Sequence, residues 1–167
     1  MATVALQQVS NPYARENAKR TLEKPIALKY LRYLDPHVLS RLEAISKGGP
    51  VYVWGSKAER VHQTYKILGR DTLVLFRRRS TVYKFGIVIE KTENEALADS
   101  LWGRDVDGET WSTVYFFARI VNKVVPASRL NQLLGRSPRD NWQGLVVLAM
   151  KDSAKVDEFF RKQLEGL

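Results

Sequence analysis

Two apolar segments joined by a short basic turn make up residues 72–90, which read TLVLFRRRSTVYKFGIVIE. The first, Leu73 to Phe76, is uninterrupted, which is typical of a strand that is buried on both faces. The second, Val82 to Glu90, alternates apolar and polar residues and predicts another strand. The turn is too short for a crossover helix, so the two strands should pair antiparallel, which disfavours a parallel doubly wound sheet.

The rest of the chain supplies further strands at short intervals, at residues 51–54, 112–121 and 144–150, with helices placed irregularly among them. Helices are predicted at about residues 12–23, 36–47, 58–68, 95–100 and 126–134, and at the C-terminal end. Asp35 followed by Pro36 is a helix-start signal. This pattern predicts an α+β domain built on a curved mixed sheet or small barrel, over residues 49–167, preceded by a helical N-terminal extension, residues 1–48.

Composition narrows the class of partner. The 167 residues carry a net charge of +9, which favours a polyanionic partner. Membrane-spanning and signal segments are not predicted, so we expect a cytoplasmic protein. The absence of cysteine excludes disulfides and thiolate zinc sites, and the histidines, His37 and His62, are too few for a histidine-rich metal site. No cofactor motif is found.

Three tryptophans are candidates for a ligand site. Trp54, Trp102 and Trp111 fall at predicted strand ends or in a loop, beside glycine, polar or charged residues. Indole rings in such places suggest a surface on which a flat ligand stacks, and the basic charge makes a nucleobase the first candidate. A single tryptophan at a strand end more often belongs to the core. Trp142, just before a predicted strand, is expected to pack inside.

Basic residues could surround these tryptophans if the loops gather at one end of the sheet. Such a rim would contact phosphates, although most charged runs are simply solvated surface. The candidate backbone contacts are Lys57, Arg60, Arg77, Arg78, Arg79, Lys84, Arg104, Arg136 and Arg139.

Motifs of enzymes are mostly absent, since no phosphate-binding glycine loop, nucleophile elbow or metal-ligand spacing is found. The carboxylates Asp105, Asp107 and Glu109 cluster between two of the tryptophans and leave a nucleotide-modifying enzyme as a third interpretation. We expect a binding module rather than an enzyme.

Residues 51–148 resemble a YTH domain in the order and spacing of their motifs. The family's Gly-Val-Trp-Ser/Ala segment is similar to residues 53–56, its Phe-X-Gly strand to residues 84–88, and its Val-Pro-X-X-X-Leu element to residues 125–130. Its late Arg-Asp-X-Gln segment is similar to residues 139–143, with one extra residue. The family's second cage position falls at Trp102, and its third lies four residues before an aromatic residue, as Trp111 lies before Tyr115.

The resemblance implies a PUA-like fold that reads N6-methyladenine. It implies a cage formed by Trp54, Trp102 and Trp111, a base-edge contact at Ser56, and a base flipped out of duplex DNA. Prokaryotic domains of this kind are similar to the N-terminal specificity domains of McrBC-type modification-dependent restriction systems. That likeness implies a recognition domain fused to or associated with a GTPase motor and a separate nuclease. The alternative is a PUA-like protein that binds N6-methyladenine in RNA, or unmodified RNA.

Overall fold

The computed structural model describes residues 3–57 and 68–165. The predicted helix over residues 58–68 therefore lies almost wholly outside the described residues. In chain order the elements are β1 (Val4–Gln8), α1 (Pro12–Thr21), a 3₁₀ turn (Leu28–Tyr30), α2 (Pro36–Ser46), β2 (Tyr52–Ser56), β3 (Leu73–Arg78), β4 (Thr81–Glu93), α3 (Glu95–Trp102), β5 (Thr113–Pro126), α4 (Ala127–Leu133), β6 (Leu145–Val147) and α5 (Met150–Glu165).

The strands form one curled, half-barrel sheet in the order β2-β5-β4-β3-β1-β6. β3 and β4 pair antiparallel from Leu73 opposite Ile87 to Arg78 opposite Thr81, as the short turn predicts. β1 is parallel to β3, so the sheet is mixed. Register shifts along the β4–β5 pair mark bulges, which bend strands and raise their twist. The predicted α+β class with a curved mixed sheet is confirmed.

Each face of the sheet is covered by its own core. Val74 and Phe76 of β3 point to the face that also buries Trp54, whereas Leu73 and Leu75 point to the face beneath α4 and α5. All four of these apolar side chains are fully buried, which confirms the interpretation of an apolar run buried on both faces. Trp142 is also buried, in the second core, as expected.

The first 48 residues are not only helical. Strand β1 lies inside the sheet between β3 and β6, and the sequence analysis did not predict it. The strand ends in two glutamines, so its sequence lacks a clear apolar alternation. Its stability comes from pairing with both neighbours, which are distant in sequence. The division of the chain at residue 48 stays a prediction, but the two parts share one sheet.

Side-chain hydrogen bonds cap the N-terminal ends of α1, α2 and α3. Asn11 Oδ1 accepts a hydrogen bond from Ala14 N at 2.8 Å, and Asn94 Oδ1 accepts one from Leu97 N at 2.8 Å. Asp35 caps α2 by accepting from His37 N at 2.8 Å, as predicted. No helix in the described residues combines the length and apolarity that a bilayer span requires.

Candidate functional site

The three predicted cage tryptophans come together in the structure. Trp54 lies on β2, Trp102 ends α3, and Trp111 precedes β5. The ring centroids of Trp54 and Trp111 are 4.7 Å apart, and those of Trp102 and Trp111 are 5.4 Å apart. A base inserted between two parallel rings needs about 7 Å between them, because carbon atoms in contact lie about 3.5 Å apart. The rings therefore pack against one another rather than around an empty space.

Hydrogen bonds and close packing on its buried side hold the tryptophan cluster in place. Trp102 Nε1 donates to Thr21 Oγ1 at 3.0 Å, and this hydroxyl donates to the Val53 carbonyl at 2.6 Å. Gly55 lets the Trp102 ring approach β2, since a Cβ there would lie 2.9 Å from two of its ring carbons. Trp54 is fully buried and Trp102 is 3% exposed, whereas Trp111 is 8% exposed. The position of Trp111 in the cluster is thus fixed by buried partners.

An open cleft of about 830 Å³ lies on the exposed side of Trp111. It is bounded by the end of β1, the start of α1, the end of β2, the loop after α3 and the loop before β6. Its aromatic residues are Tyr13, Trp111 and Trp142. Tyr13 meets Trp111 edge to face at 5.2 Å, and its hydroxyl donates to the Gly103 carbonyl at 2.8 Å. The remaining lining residues are Gln7, Gln8, Ser10, Asn11, Pro12, Ala14, Gly55, Ser56, Lys57, Arg104, Asp105, Val106, Asp107, Asn141, Gln143, Gly144 and Leu145.

A buried chain of polar groups reaches the cleft at Ser56. Tyr115 donates its hydroxyl proton to Gln7 Oε1 at 2.8 Å, and the Ser56 and Tyr115 hydroxyl oxygens are 3.1 Å apart. Because a tyrosine hydroxyl has one proton, Ser56 must be the donor to Tyr115. The Ser56 hydroxyl oxygen therefore keeps its capacity to accept a hydrogen bond, and Ser56 lines the cleft.

The loop after α3 carries the three clustered carboxylates. Lys57 Nζ lies 2.6 Å from Asp105 Oδ2 and 2.6 Å from Glu109 Oε2. The Lys57 hydrogen bond, followed by the Glu109 backbone amide, lowers the pKa of the Asp105 carboxyl. The same two carboxylates raise the pKa of Lys57. This arrangement joins the loop to the end of β2, and it gives Asp105 and Glu109 a structural role.

Two of the predicted phosphate contacts lie inside the fold. The Arg77 guanidinium donates to the carbonyls of Arg79 at 2.7 Å and Asp140 at 2.6 Å, and it lies 5.0 Å from the Trp142 ring centre. Arg77 is 5% exposed, and burial lowers the pKa of its guanidinium. Lys84 is similarly buried and donates to Asn122 Oδ1 at 2.5 Å. Neither side chain is placed to contact a phosphate on the surface.

Arg77 instead joins two loops that carry exposed cations. The turn between β3 and β4 exposes Arg79, and the loop before β6 exposes Arg139. Arg78 and Arg136 are partly exposed, and Arg136 lies 3.6 Å from Asp140 Oδ2. Arg104 lines the cleft and pairs with Glu95 at 2.9 Å. Arg60 and His62 lie outside the described residues.

Several cleft residues were missed by the sequence analysis. Gln7 lies in the strand that was not predicted, and Tyr13 was assigned to a helix without a role. The Asn11-Pro12 helix start could have located Tyr13 at the exposed beginning of α1. Within residues 3–57 and 68–165, no three His, Asp or Glu side chains are grouped as a metal site would require.

Comparison with solved structures finds a protein domain of similar fold. The chain is similar to the N-terminal domain of Thermococcus gammatolerans McrB bound to m5C DNA, with a TM-score of 0.72 and 19% sequence identity. The match covers 97% of this chain and 99% of that chain. The likeness to an McrB N-terminal domain, predicted above from the motifs, is confirmed at the level of fold. No family model matches the chain, and no curated protein matches it in sequence.

Proposed function

We propose that this chain is a binding module that recognises a methylated base in DNA. The observation that carries the proposal is the open cleft beside Trp111, whose lining combines aromatic side chains, the Ser56 hydroxyl and the cations Lys57 and Arg104. Its fold likeness to a domain solved with m5C DNA supports the same conclusion. The cleft volume of about 830 Å³ lies within the range of small-molecule sites, which is roughly 300–1,000 Å³, so a flipped nucleotide fits.

Flipping a base out of a duplex costs a few kcal/mol of stacking and pairing. Stacking on an aromatic side chain returns roughly 1–3 kcal/mol. In our proposal Trp111 is the ring that contacts the base, and Tyr13 bounds the same side of the cleft. In this proposal Trp54 and Trp102 do not touch the base as the predicted cage required, and their contacts instead hold Trp111 in place.

Selection for N6-methyladenine follows from the polar and apolar parts of the cleft. The single remaining N6–H of the methylated base donates to the Ser56 hydroxyl oxygen, and the methyl group packs on Trp111. Burial of that methyl contributes about 0.8 kcal/mol. Unmethylated adenine brings a second N–H, which would lack a partner against the indole at a cost of about 1–3 kcal/mol. Together these effects correspond to a preference of roughly twentyfold to six hundredfold.

A second candidate base is 5-methylcytosine. The m5C DNA in the McrB relative is the observation that favours it. Its N4 amino group would donate to Ser56 in the same way, and its methyl group would pack on Trp111. The methylated duplexes compared below separate the two bases.

The exposed cations would hold the DNA backbone. We propose the exposed or partly exposed Arg78, Arg79, Arg136 and Arg139 as backbone contacts, together with Lys57 and Arg104 of the cleft lining. Arg60 stays a candidate from the sequence alone. Lys57 and Arg104 already have carboxylate partners, so their contribution should be weaker than that of Arg79 and Arg139. We also propose that a GTPase motor and a separate nuclease act with this recognition domain.

The test is a binding titration at fixed moderate salt. One oligonucleotide is prepared as duplex DNA, single-stranded DNA and RNA, each unmodified, with N6-methyladenine or with 5-methylcytosine. Trp111→Ala is compared with Tyr30→Ala, an exposed aromatic residue outside the cleft lining. We expect the wild type and Tyr30→Ala to prefer a methylated duplex at least tenfold, and Trp111→Ala to lose that preference.

Equal affinity for methylated and unmodified DNA in the wild type would refute the proposal. A preference for RNA over DNA would instead support the PUA-like RNA-binding alternative. Methyl selectivity that survives in Trp111→Ala would place the base elsewhere.

A further inference from the structure

Val106 is exposed to an unusual degree for an apolar residue. It lies at the tip of the loop after α3, on the rim of the cleft, and its exposure is 101%. Single exposed apolar residues are common on protein surfaces and need no function. Val106 differs in its location, because it lines the cleft in which the base is proposed to bind.

The loop that carries Val106 is held by its own hydrogen bonds. Asp105 N donates to the Glu109 carbonyl at 2.8 Å, and Gly108 N donates to the Asp105 carbonyl at 3.0 Å. Asp105 Oδ1 accepts from the amides of Asp107 at 2.9 Å and Glu109 at 3.1 Å. Gly108 has a φ of +75°, which suits this tight turn. Val106 is therefore presented at a set position relative to the cleft.

Lys57 makes the loop compatible with an approaching polyanion. Its ammonium pairs with Asp105 and Glu109, two of the three loop carboxylates. This pairing reduces the repulsion that the acids would exert on phosphates. The same ion pairs join the loop to the end of β2, beside the proposed base contact at Ser56.

We infer that Val106 enters the base stack of duplex DNA and fills the space left by the flipped base. The inference rests on the proposed function and assigns this valine the role of a positioning residue. A flipped base leaves a gap in the duplex, and apolar side chains are suited to fill such gaps between base steps. A β-branched side chain loses little conformational freedom when it is inserted.

The test compares Val106→Ala with Val124→Ala. Val124 is a second exposed valine, 75% exposed, and it does not line the cleft. Both variants are titrated with the methylated duplex and with the same methylated strand as single-stranded DNA. We expect Val106→Ala to bind the duplex about tenfold more weakly, since two buried methyl groups are lost. Its affinity for the single strand should stay within about twofold of wild type, because a single strand has no gap to fill.

A second readout detects insertion directly. 2-Aminopurine is placed in the duplex next to the methylated base, where its fluorescence rises when stacking is disturbed. The wild type and Val124→Ala should give the same signal at saturating protein, and Val106→Ala should give a different one, because the 2-aminopurine then lies beside an unfilled gap.

The outcomes separate the inference from the proposed function. If the wild type prefers the methylated duplex and Val106→Ala binds it equally well, the inference is overturned and the proposed function stands. An equal loss on duplex and single strand would also overturn it, since the role would then not concern the gap. If the wild type shows no methyl preference, both fall.

Discussion

Replacement of Arg77 distinguishes a buried connector from a phosphate contact. In Arg77→Met the carbonyls of Arg79 and Asp140 each lose a charged donor, worth about 1.5–3 kcal/mol per hydrogen bond. The contact with the Trp142 ring adds about 1 kcal/mol. Two effects reduce the sum: methionine avoids the cost of burying a charge, and the Asp140 carbonyl keeps a hydrogen bond from Asn131 Nδ2 at 3.1 Å.

We therefore expect Arg77→Met to lower the free energy of unfolding by about 3 kcal/mol. For a domain of this size that loss corresponds to a fall in Tm of roughly 6–12 °C. Guanidinium unfolding followed by tryptophan fluorescence measures the first quantity, and calorimetry measures the second. Arg77→Lys should be nearly as unstable, because one ammonium cannot reproduce the two-carbonyl geometry of the guanidinium.

Arg139→Met is the matched control, since Arg139 is exposed on one of the loops that Arg77 joins. Its stability should change by less than about 0.5 kcal/mol. If Arg139 contacts a phosphate, the slope of log affinity for DNA against log salt should be smaller in magnitude by about 0.9 in Arg139→Met. Arg77→Met should instead weaken binding while leaving that slope unchanged. A stable Arg77→Met with a reduced slope would refute the reasoning and restore Arg77 as a phosphate contact.

Three other substitutions test single contacts. Trp142→Phe removes the donor of the 2.7 Å hydrogen bond to Asn131 Oδ1. The free energy of unfolding, measured with denaturant, should fall by about 1–3 kcal/mol. An unchanged midpoint would mean that Asn131 Oδ1 finds another hydrogen-bond donor. Gly55→Ala places a Cβ 2.9 Å from the Trp102 ring, so overpacking should cost about 1–3 kcal/mol in the same assay, and undiminished stability would contradict the packing. The lowered pKa of Asp105 means that loop ordering is present above about pH 4 and is lost as the pH falls through that lowered pKa. The protection factor of the Glu109 amide against hydrogen exchange should fall as the pH is lowered through this range in the wild type, and it should already be low in Asp105→Asn. A pH-independent difference in protection would argue against the carboxylate as the cause.

Much of the fold could be predicted because its signals are local. The apolar run of β3 and its short turn into β4 require an antiparallel pair, whatever the rest of the chain does. Asp35 and Pro36 mark the start of α2 through a cap that involves only neighbouring residues. β1 could not be found in this way, because its pairing partners lie about 70 and 140 residues further along the chain.

The candidate site, too, could be predicted from the sequence only in part. The type and approximate position of Trp54, Trp102 and Trp111 suggested that the three rings belong together, and they do meet. Which ring borders the cleft depends on what packs behind each one, and that is settled by contacts with Thr21 and Gly55.

The amino-acid sequence by itself determined the α+β class, the central hairpin and the basic charge. These properties follow from composition and from patterns within a few residues. Only the tertiary structure decided that β1 lies inside the sheet, that Arg77 and Lys84 are buried, and that Tyr13, Ser56 and Trp111 share one cleft with Val106 on its rim. The physical reason is that burial and hydrogen-bond partners depend on residues far apart in sequence. A charged or aromatic side chain therefore has the same sequence neighbours whether it is buried or exposed.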